Sequence, residues 1–249
     1  MSSVLIVGES SMTTFTHTVS FDRFTDGFLE NEAAPPRHAL EAEGHEVSWM
    51  PAHAAQEDFP LTLNGLDSAD IVVLSDVGAN TLLLHPDAYL RGKTTPNRLK
   101  LIRDWTMDGG ALVMCGGYLS FSGFGARALY RGTPVEEVLR VRISPYDDRV
   151  ETPEGAVTKL LEPEHPILKD LGNDWPTLLG YNRVEPDSGS TVLATINDDP
   201  LLLVGEPGAG RVLSWTSDVG PHWCPNTFTD WEGYRKLWNG AVSWLCRTS

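Results

Sequence analysis

Short, mostly apolar runs separated by turn-forming residues dominate the first half of the chain. Residues 4–7, 46–50, 71–75 and 111–115 are bounded by Gly, Asp or Pro, the pattern of strands buried in a sheet. Between them the period lengthens to that of helices. Pro35-Pro36 opens one helix that ends near Glu43-Gly44, and Thr95-Pro96 opens another in which Leu99, Ile102 and Trp105 recur before Gly109-Gly110 stops it. Residues 8–22, polar and rich in Ser and Thr, read as a loop leaving the first strand, with Asp22 as the cap of a following helix. Strands alternating with helices predict a doubly wound α/β fold, a mostly parallel sheet with helices on both faces.

The second half changes character. Thr133-Pro134-Val135-Glu136 has the form of a capping box opening a short helix, after which Pro and charged residues break the pattern to about residue 190. Residues 191–196, 201–205 and 211–216 then read as added β-strands, with Glu206-Pro207-Gly208-Ala209-Gly210 turning between the last two. Trp231, Tyr234, Trp238, Ala241, Val242 and Leu245 fall on one face of a closing helix. With no internal repeat and no linker-like stretch, a single domain over residues 1–249 is expected.

Composition narrows the function classes. A net charge of −15 with a pI near 4.8 repels polyphosphate, so nucleic acid is not an expected partner. Cys115, Cys224 and Cys246 form neither a disulfide framework nor a paired zinc spacing, which fits a reducing, cytoplasmic setting. The apolar run after Met1-Ser2-Ser3 is too short for a signal peptide, and no uncharged apolar stretch approaches the ~20 residues of a membrane helix. The expected partner is a small polar metabolite. The Trp content and the apolar last helix also lead us to expect a homo-oligomer.

Chemistry concentrates at Gly109-Gly110-Ala111-Leu112-Val113-Met114-Cys115-Gly116-Gly117, a strand that ends in a cysteine followed by two glycines. Such a turn lifts a thiol above the carboxyl edge of a sheet, and a helix starting there would favour the thiolate. A buried cysteine serving as a small core hydrophobe is the plainer alternative. Glu9, Ser10, His17 and Asp22 in the first loop, and Asp76 and Asn80 after the third strand, stand where they would reach the same crevice, although Ser and Asp also serve turns. His17, His222, Asp22 and Asp76 suggest a metal, but they lack close ligand spacing, so neither metal nor cofactor is expected.

The Cys115-Gly116-Gly117 turn, the loop Ser75-Asp76-Val77-Gly78-Ala79-Asn80, and Thr216-Ser217-Asp218-Val219-Gly220-Pro221-His222-Trp223 together resemble the class I glutamine amidotransferase-like family. The likeness is closest to its uncharacterised amidotransferase branch, itself similar to ThuA-like proteins. The resemblance implies a flavodoxin-like sheet, Cys115 as nucleophile, His222 as base, and Gly116 with Gly78 as oxyanion donors. Gly117 and Trp223 would line the ligand site. The family pattern G-x-C-x-G-x-Q is met only at Cys115 and Gly117, with Val113 and Leu119 at the outer positions, and Cys224 stands where a Glu follows the late His. Asp218 or Glu9 would then orient His222. Two functions follow: a Cys/His-dependent amidotransferase or hydrolase of a small amide or carbonyl compound, or a non-catalytic carbohydrate or metabolite-binding domain.

Overall fold

The structure is a computed structural model that describes residues 1–248. In chain order its strands are β1 (Ser3–Gly8), β2 (Ser10–Val19), β3 (Asp22–Asn31), β4 (Glu46–Met50), β5 (Ile71–Ser75), β6 (Ala111–Cys115), β7 (Val141–Ile143), β8 (Arg149–Ala156), β9 (Thr158–Leu160), β10 (Leu178–Asn182), β11 (Val184–Pro186), β12 (Ser190–Ile196), β13 (Asp199–Gly205) and β14 (Arg211–Trp215). Its helices are α1 (Ala34–Ala42), α2 (Ala52–Asp58), α3 (Leu63–Leu66), α4 (Ala79–Leu83), α5 (Pro86–Arg91), α6 (Arg98–Met107), α7 (Pro134–Leu139), α8 (Asn226–Thr229) and α9 (Glu232–Leu245).

Eight strands share one sheet in the order β4-β1-β5-β6-β14-β13-β12-β9. Neighbours from β4 to β14 are parallel, and β13, β12 and β9 extend the sheet antiparallel. This is the mostly parallel α/β sheet with added C-terminal strands that the pattern predicts. The chain winds from β1 out to β4 and then returns past β1 to β5, so the winding reverses between β1 and β5. Sheets of this kind open their ligand crevice at that reversal, outside the carboxyl ends of the strands.

Alternate strand residues bury into two layers, which is why the central runs are apolar at successive positions. Ile6, Val73, Val113 and Trp215 face the layer holding Leu40 of α1 and Trp238 of α9. Val7, Val72, Leu112 and Met114 face the layer holding Ala55 of α2, Leu82 of α4 and Ile102 of α6. The apolar stripe of α9 is therefore inside the core: Tyr234, Trp238, Ala241, Val242 and Leu245 are all buried. The apolar last helix, one ground for expecting a homo-oligomer, is thus covered by this chain itself.

Two local expectations also change. Residues 8–22 are not a loop leading to a helix: β2 and β3 pair over ten rungs, from Ser10↔Asn31 to Val19↔Asp22, as a projecting antiparallel hairpin. Asp22 is the first residue of β3 and caps nothing. The Thr-rich run has high β-propensity, but all its side chains face solvent or the partner strand, so no burial alternation reveals it. Thr133 is the N-cap of α7 without making a cap bond; its hydroxyl donates to Tyr130 O, while Glu136 accepts from Gly132 N and Ile143 N.

Candidate functional site

Gly8, Ser75, Cys115 and Trp215 stand side by side at the carboxyl edge of β1, β5, β6 and β14. Gly8 has φ of 108°, and a Cβ there would collide with the Ser75 carbonyl oxygen, so the close approach of β1 and β5 demands glycine. The next residue, Glu9, takes a left-handed φ of 48° and donates its N–H to Ser75 O at 3.0 Å. Its carbonyl accepts Glu32 N at 3.0 Å, which closes the base of the hairpin. That turn buries the Glu9 side chain, which is 1% exposed and whose Oε1 has no hydrogen-bond partner. Burial, and then the negative charges of Asp218, Asp76 and Glu32, push its carboxyl well above the ordinary glutamate value.

Asp76 repeats the arrangement after β5, with φ of 45°. Its Oδ1 accepts Leu119 N at 2.5 Å, and its own N–H donates to Ser120 Oγ at 3.1 Å, tying the β5 and β6 turns together. Burial and Asp218 raise its carboxyl to about 6 despite the Leu119 bond. Glu32, half-buried at the hairpin base, is raised by burial and by Asp218 and Asp76. Glu9, Glu32, Asp76 and Asp218 thus form one acidic group at the winding reversal, drawn from β1, the hairpin, β5 and the turn after β14.

His222 is the basic element of this group. Its Nδ1 donates to Asp218 Oδ2 at 3.3 Å, and that bond, opposed by burial, raises the imidazole above its ordinary value. Asp218, rather than Glu9, holds the ring; its other oxygen accepts Val219 N at 2.8 Å. The ring stacks on Trp223 at 5.2 Å and takes the edge of Tyr118 at 4.5 Å. Trp223 is only 1% exposed and donates its indole N–H to Glu151 Oε2 at 2.9 Å, so it supports His222 from behind and does not line the site as expected. The half-buried Tyr118 ring is the aromatic surface that remains.

Cys115 departs from a nucleophile elbow in three ways. The thiol is fully buried, and burial followed by the charge of Glu9 pushes it well above the ordinary cysteine value. No helix starts after it: residues 116–123 are turns and bends, and the next α-helix is α7. The helix that would lower its pKa is missing. Finally, the amides that follow Cys115 are already bonded. Gly116 N donates to Trp215 O at 2.7 Å and Ser217 O at 2.8 Å, and Gly117 N donates to Asn182 Oδ1 at 2.9 Å. The oxyanion role expected of Gly116 is therefore corrected. Gly78 caps α4, where the adjacent Ala79 N bonds Ala128 O at 2.8 Å. His222 makes no hydrogen bond to Cys115; Asp218 engages its Nδ1. The Ser75 hydroxyl lies near enough to Glu9 and Cys115 to lower both, yet makes no well-formed hydrogen bond.

Asn182 and Asp148, which sequence reasoning missed, brace this turn. Asn182 is fully buried; its Nδ2 donates to Asp148 Oδ1 at 2.8 Å while its Oδ1 takes Gly117 N. Asp148 also accepts Ser122 N at 2.9 Å and Gly123 N at 2.8 Å. Neither residue carries a local signal, because the partners lie 25 or more residues away. Glu32 was missed for the same reason.

The remaining expected residues separate into two groups. Ser10 and Asn80 line a cleft of about 530 Å³ with Met12, His53, Gln56 and Tyr89, at the reversal point beside the hairpin base. Ser10 Oγ accepts Ala52 N at 2.8 Å there. His17 and Asp22, by contrast, sit on the outer rungs of the hairpin and are exposed, so they do not join the crevice. A larger cleft of about 640 Å³ is lined by Arg131, Arg142, Arg149 and Arg183 but by none of the expected residues, and Arg142 and Arg149 are neutralised by Glu185 and Asp147. Among the described residues no three His, Cys, Asp or Glu side chains are arranged to hold a metal, and no helix is long and apolar enough to cross a membrane.

Comparisons place this geometry among known chains. The structure is similar to cytoplasmic protein STM3548 from Salmonella typhimurium, with 38% identity and a TM-score of 0.94 over 97% of this chain and 98% of that one. It is equally similar to cytoplasmic protein STM1381 from Salmonella typhimurium LT2, with 39% identity and a TM-score of 0.93 over 98% and 99%. A protein from Parabacteroides merdae described as a "Putative thua-like protein" shares the fold, at 14% identity and a TM-score of 0.59 over 99% and 90%. No curated protein matches the sequence. Residues 3–247 match the GATase1-like family, described as "Putative glutamine amidotransferase", and the chain belongs to that family.

Proposed function

We propose that the crevice at the carboxyl ends of β1 and β5 binds a small, uncharged, hydroxyl-rich ligand of the carbohydrate or polyol class, and that Cys115 is not a nucleophile. The observation that carries this reading is the closure of the elbow, whose thiol is fully buried and whose following amides are bonded to Trp215, Ser217 and Asn182. Attack on an amide needs a thiolate and free donors for the oxyanion. The crevice offers the opposite chemistry: Asp218 accepts, while Asp76, held at about 6, accepts as a carboxylate and donates when protonated. Hydroxyl groups satisfy both roles. Tyr118 supplies a ring for an apolar C–H face, and the acidic group repels anions. The free cysteines, together with the cytoplasmic naming of both Salmonella relatives, support an intracellular setting.

A carboxyl near 6 beside an Asp–His pair also suits general acid–base work on a bound ligand. This second reading rests on Asp76. Saturation-transfer NMR across sugars, polyols, amines and amino acids separates the ideas. We expect saturable signals from sugars or polyols, weakened in Asp218→Asn and unchanged in Cys115→Ser. Binding confined to amines or to glutamine would overturn the proposal. Ligand turnover lost in Asp76→Asn with binding kept would establish the second reading.

A further inference from the structure

The hairpin is the part of the molecule that the candidate site leaves unused. β2 and β3 run about 34 Å at the usual rise of a ten-residue strand. Every residue from Thr14 to Leu29 is exposed, including Phe15, Phe24, Phe28 and, at the tip, the fully exposed Phe21. Register places Phe15, His17, Phe24 and Phe28 on one face, where His17 stacks on Phe24 at 5.0 Å and meets the edge of Phe15 at 5.1 Å. A lone two-stranded ribbon is marginal in water and gains independent stability from further strands.

The two edges of the ribbon differ. β3 carries Asp22, Arg23, Asp26 and Glu30, whereas β2 (Ser-Ser-Met-Thr-Thr-Phe-Thr-His-Thr-Val) holds no Asp, Glu, Lys, Arg or Pro, in a chain of net charge −15. β2 therefore lacks the devices that keep edges apart, and its Thr-rich sequence suits pairing. An acidic stranger has nothing here to attract it. A second copy of β2 does fit, because antiparallel self-pairing sets neutral residues opposite neutral residues.

We propose that this protein dimerises through β2, with two arms pairing antiparallel about a two-fold axis at or near Phe15 to give a four-stranded sheet β3-β2-β2-β3. A two-fold axis normal to the sheet keeps like faces together, so the aromatic rows of both arms merge into one surface. With the axis at Phe15, residues 11–19 of the two arms face one another, a ladder about 30 Å long that pairs the open edge of both β2 strands. With the axis at Phe15, Ser20 of one arm lies opposite Ser10 of the other. The Phe21 tip then reaches the partner's cleft lined by Ser10, Met12, His53 and Tyr89, beside the carboxylate crevice. The arm thus closes a cavity on its neighbour.

Sedimentation equilibrium of the full chain tests the state, and disulfide trapping tests the geometry. The expected mass is twice that of the chain, falling to the monomer in the Thr14→Lys/Thr16→Lys double variant, whose thermal midpoint stays within a few degrees of the parent. Phe15→Cys is expected to form an intermolecular disulfide under mild oxidation, whereas Thr18→Cys, facing Met12 of the other arm, is not. A monomer at every concentration would overturn the proposal, as would a dimer that survives the lysines and leaves Phe15→Cys uncrosslinked.

Discussion

Replacing Asp76 by Asn should stabilise the protein at neutral pH and leave it unchanged in acid. The carboxyl is raised from the usual 3.8 to about 6, first by burial and then by Asp218. The native state therefore binds this proton more tightly than the unfolded chain, and stability falls as pH rises through the window from 3.8 to about 6. Below that window both states are protonated and nothing is lost; above it the loss is complete. At about 1.4 kcal/mol per pH unit the full shift corresponds to roughly 3 kcal/mol, and partial solvent access reduces the expected gain to about 1–3 kcal/mol. Asn keeps an oxygen for the Leu119 N–H, so the exchange removes the charge without orphaning that donor. It also relieves Glu9 and Glu32, both of which Asp76 raises. Urea denaturation of parent and variant across the acidic to neutral range gives the two curves, which should meet in acid and diverge through the window. Parallel curves, or a variant less stable at neutral pH, would refute the reasoning. Because the sites interact, the midpoint of divergence belongs to the cluster and not to Asp76 alone. Charge retained at such a cost is characteristic of ligand sites.

Thiol labelling should run opposite to the elbow expectation: Cys246, half-buried after α9, should react first, with the fully buried Cys115 and Cys224 reacting only as fast as the protein opens, as peptide mass spectrometry after brief alkylation would report. Asn182→Ala orphans Gly117 N and one bond to Asp148 in a buried site, and a loss of about 2–4 kcal/mol in denaturant unfolding is expected; a loss under about 0.5 kcal/mol would remove its bracing role. In Asp218→Asn the imidazole of His222 should titrate lower than in the parent, followed by ring proton shifts, since the Asp218 bond is the main cause of its elevation. Gly8→Ala should fail to fold stably, because its Cβ meets the Ser75 carbonyl between paired strands.

Much of the sheet was legible because its central strands are buried on both faces. Residues 71–75 and 111–115 coincide with β5 and β6, and alternating strands and helices give a mostly parallel sheet, while the strand order and its reversal between β1 and β5 are read from the structure. The hairpin was illegible for the opposite reason, as the exposed residues 14–29 carry no burial period and Ser and Thr there imitate a loop. At the site, positions adjoining strand ends were readable: Glu9, Asp76, Asp218 and His222 each follow a predicted strand and come together. Their chemistry was not, because the pKa of Cys115 depends on the missing helix and on burial. The bonds that occupy Gly116 and Gly117 come from Trp215, Ser217 and Asn182, distant in sequence.

Ammonia release from glutamine by the parent protein and by Cys115→Ser most directly tests whether this amidotransferase-family chain binds at its crevice without a thiol nucleophile. With the thiol enclosed and its neighbouring amides engaged, both proteins should stay at the buffer background while sugar or polyol binding persists in each. Release by the parent well above background, abolished in a folded Cys115→Ser, would contradict the account.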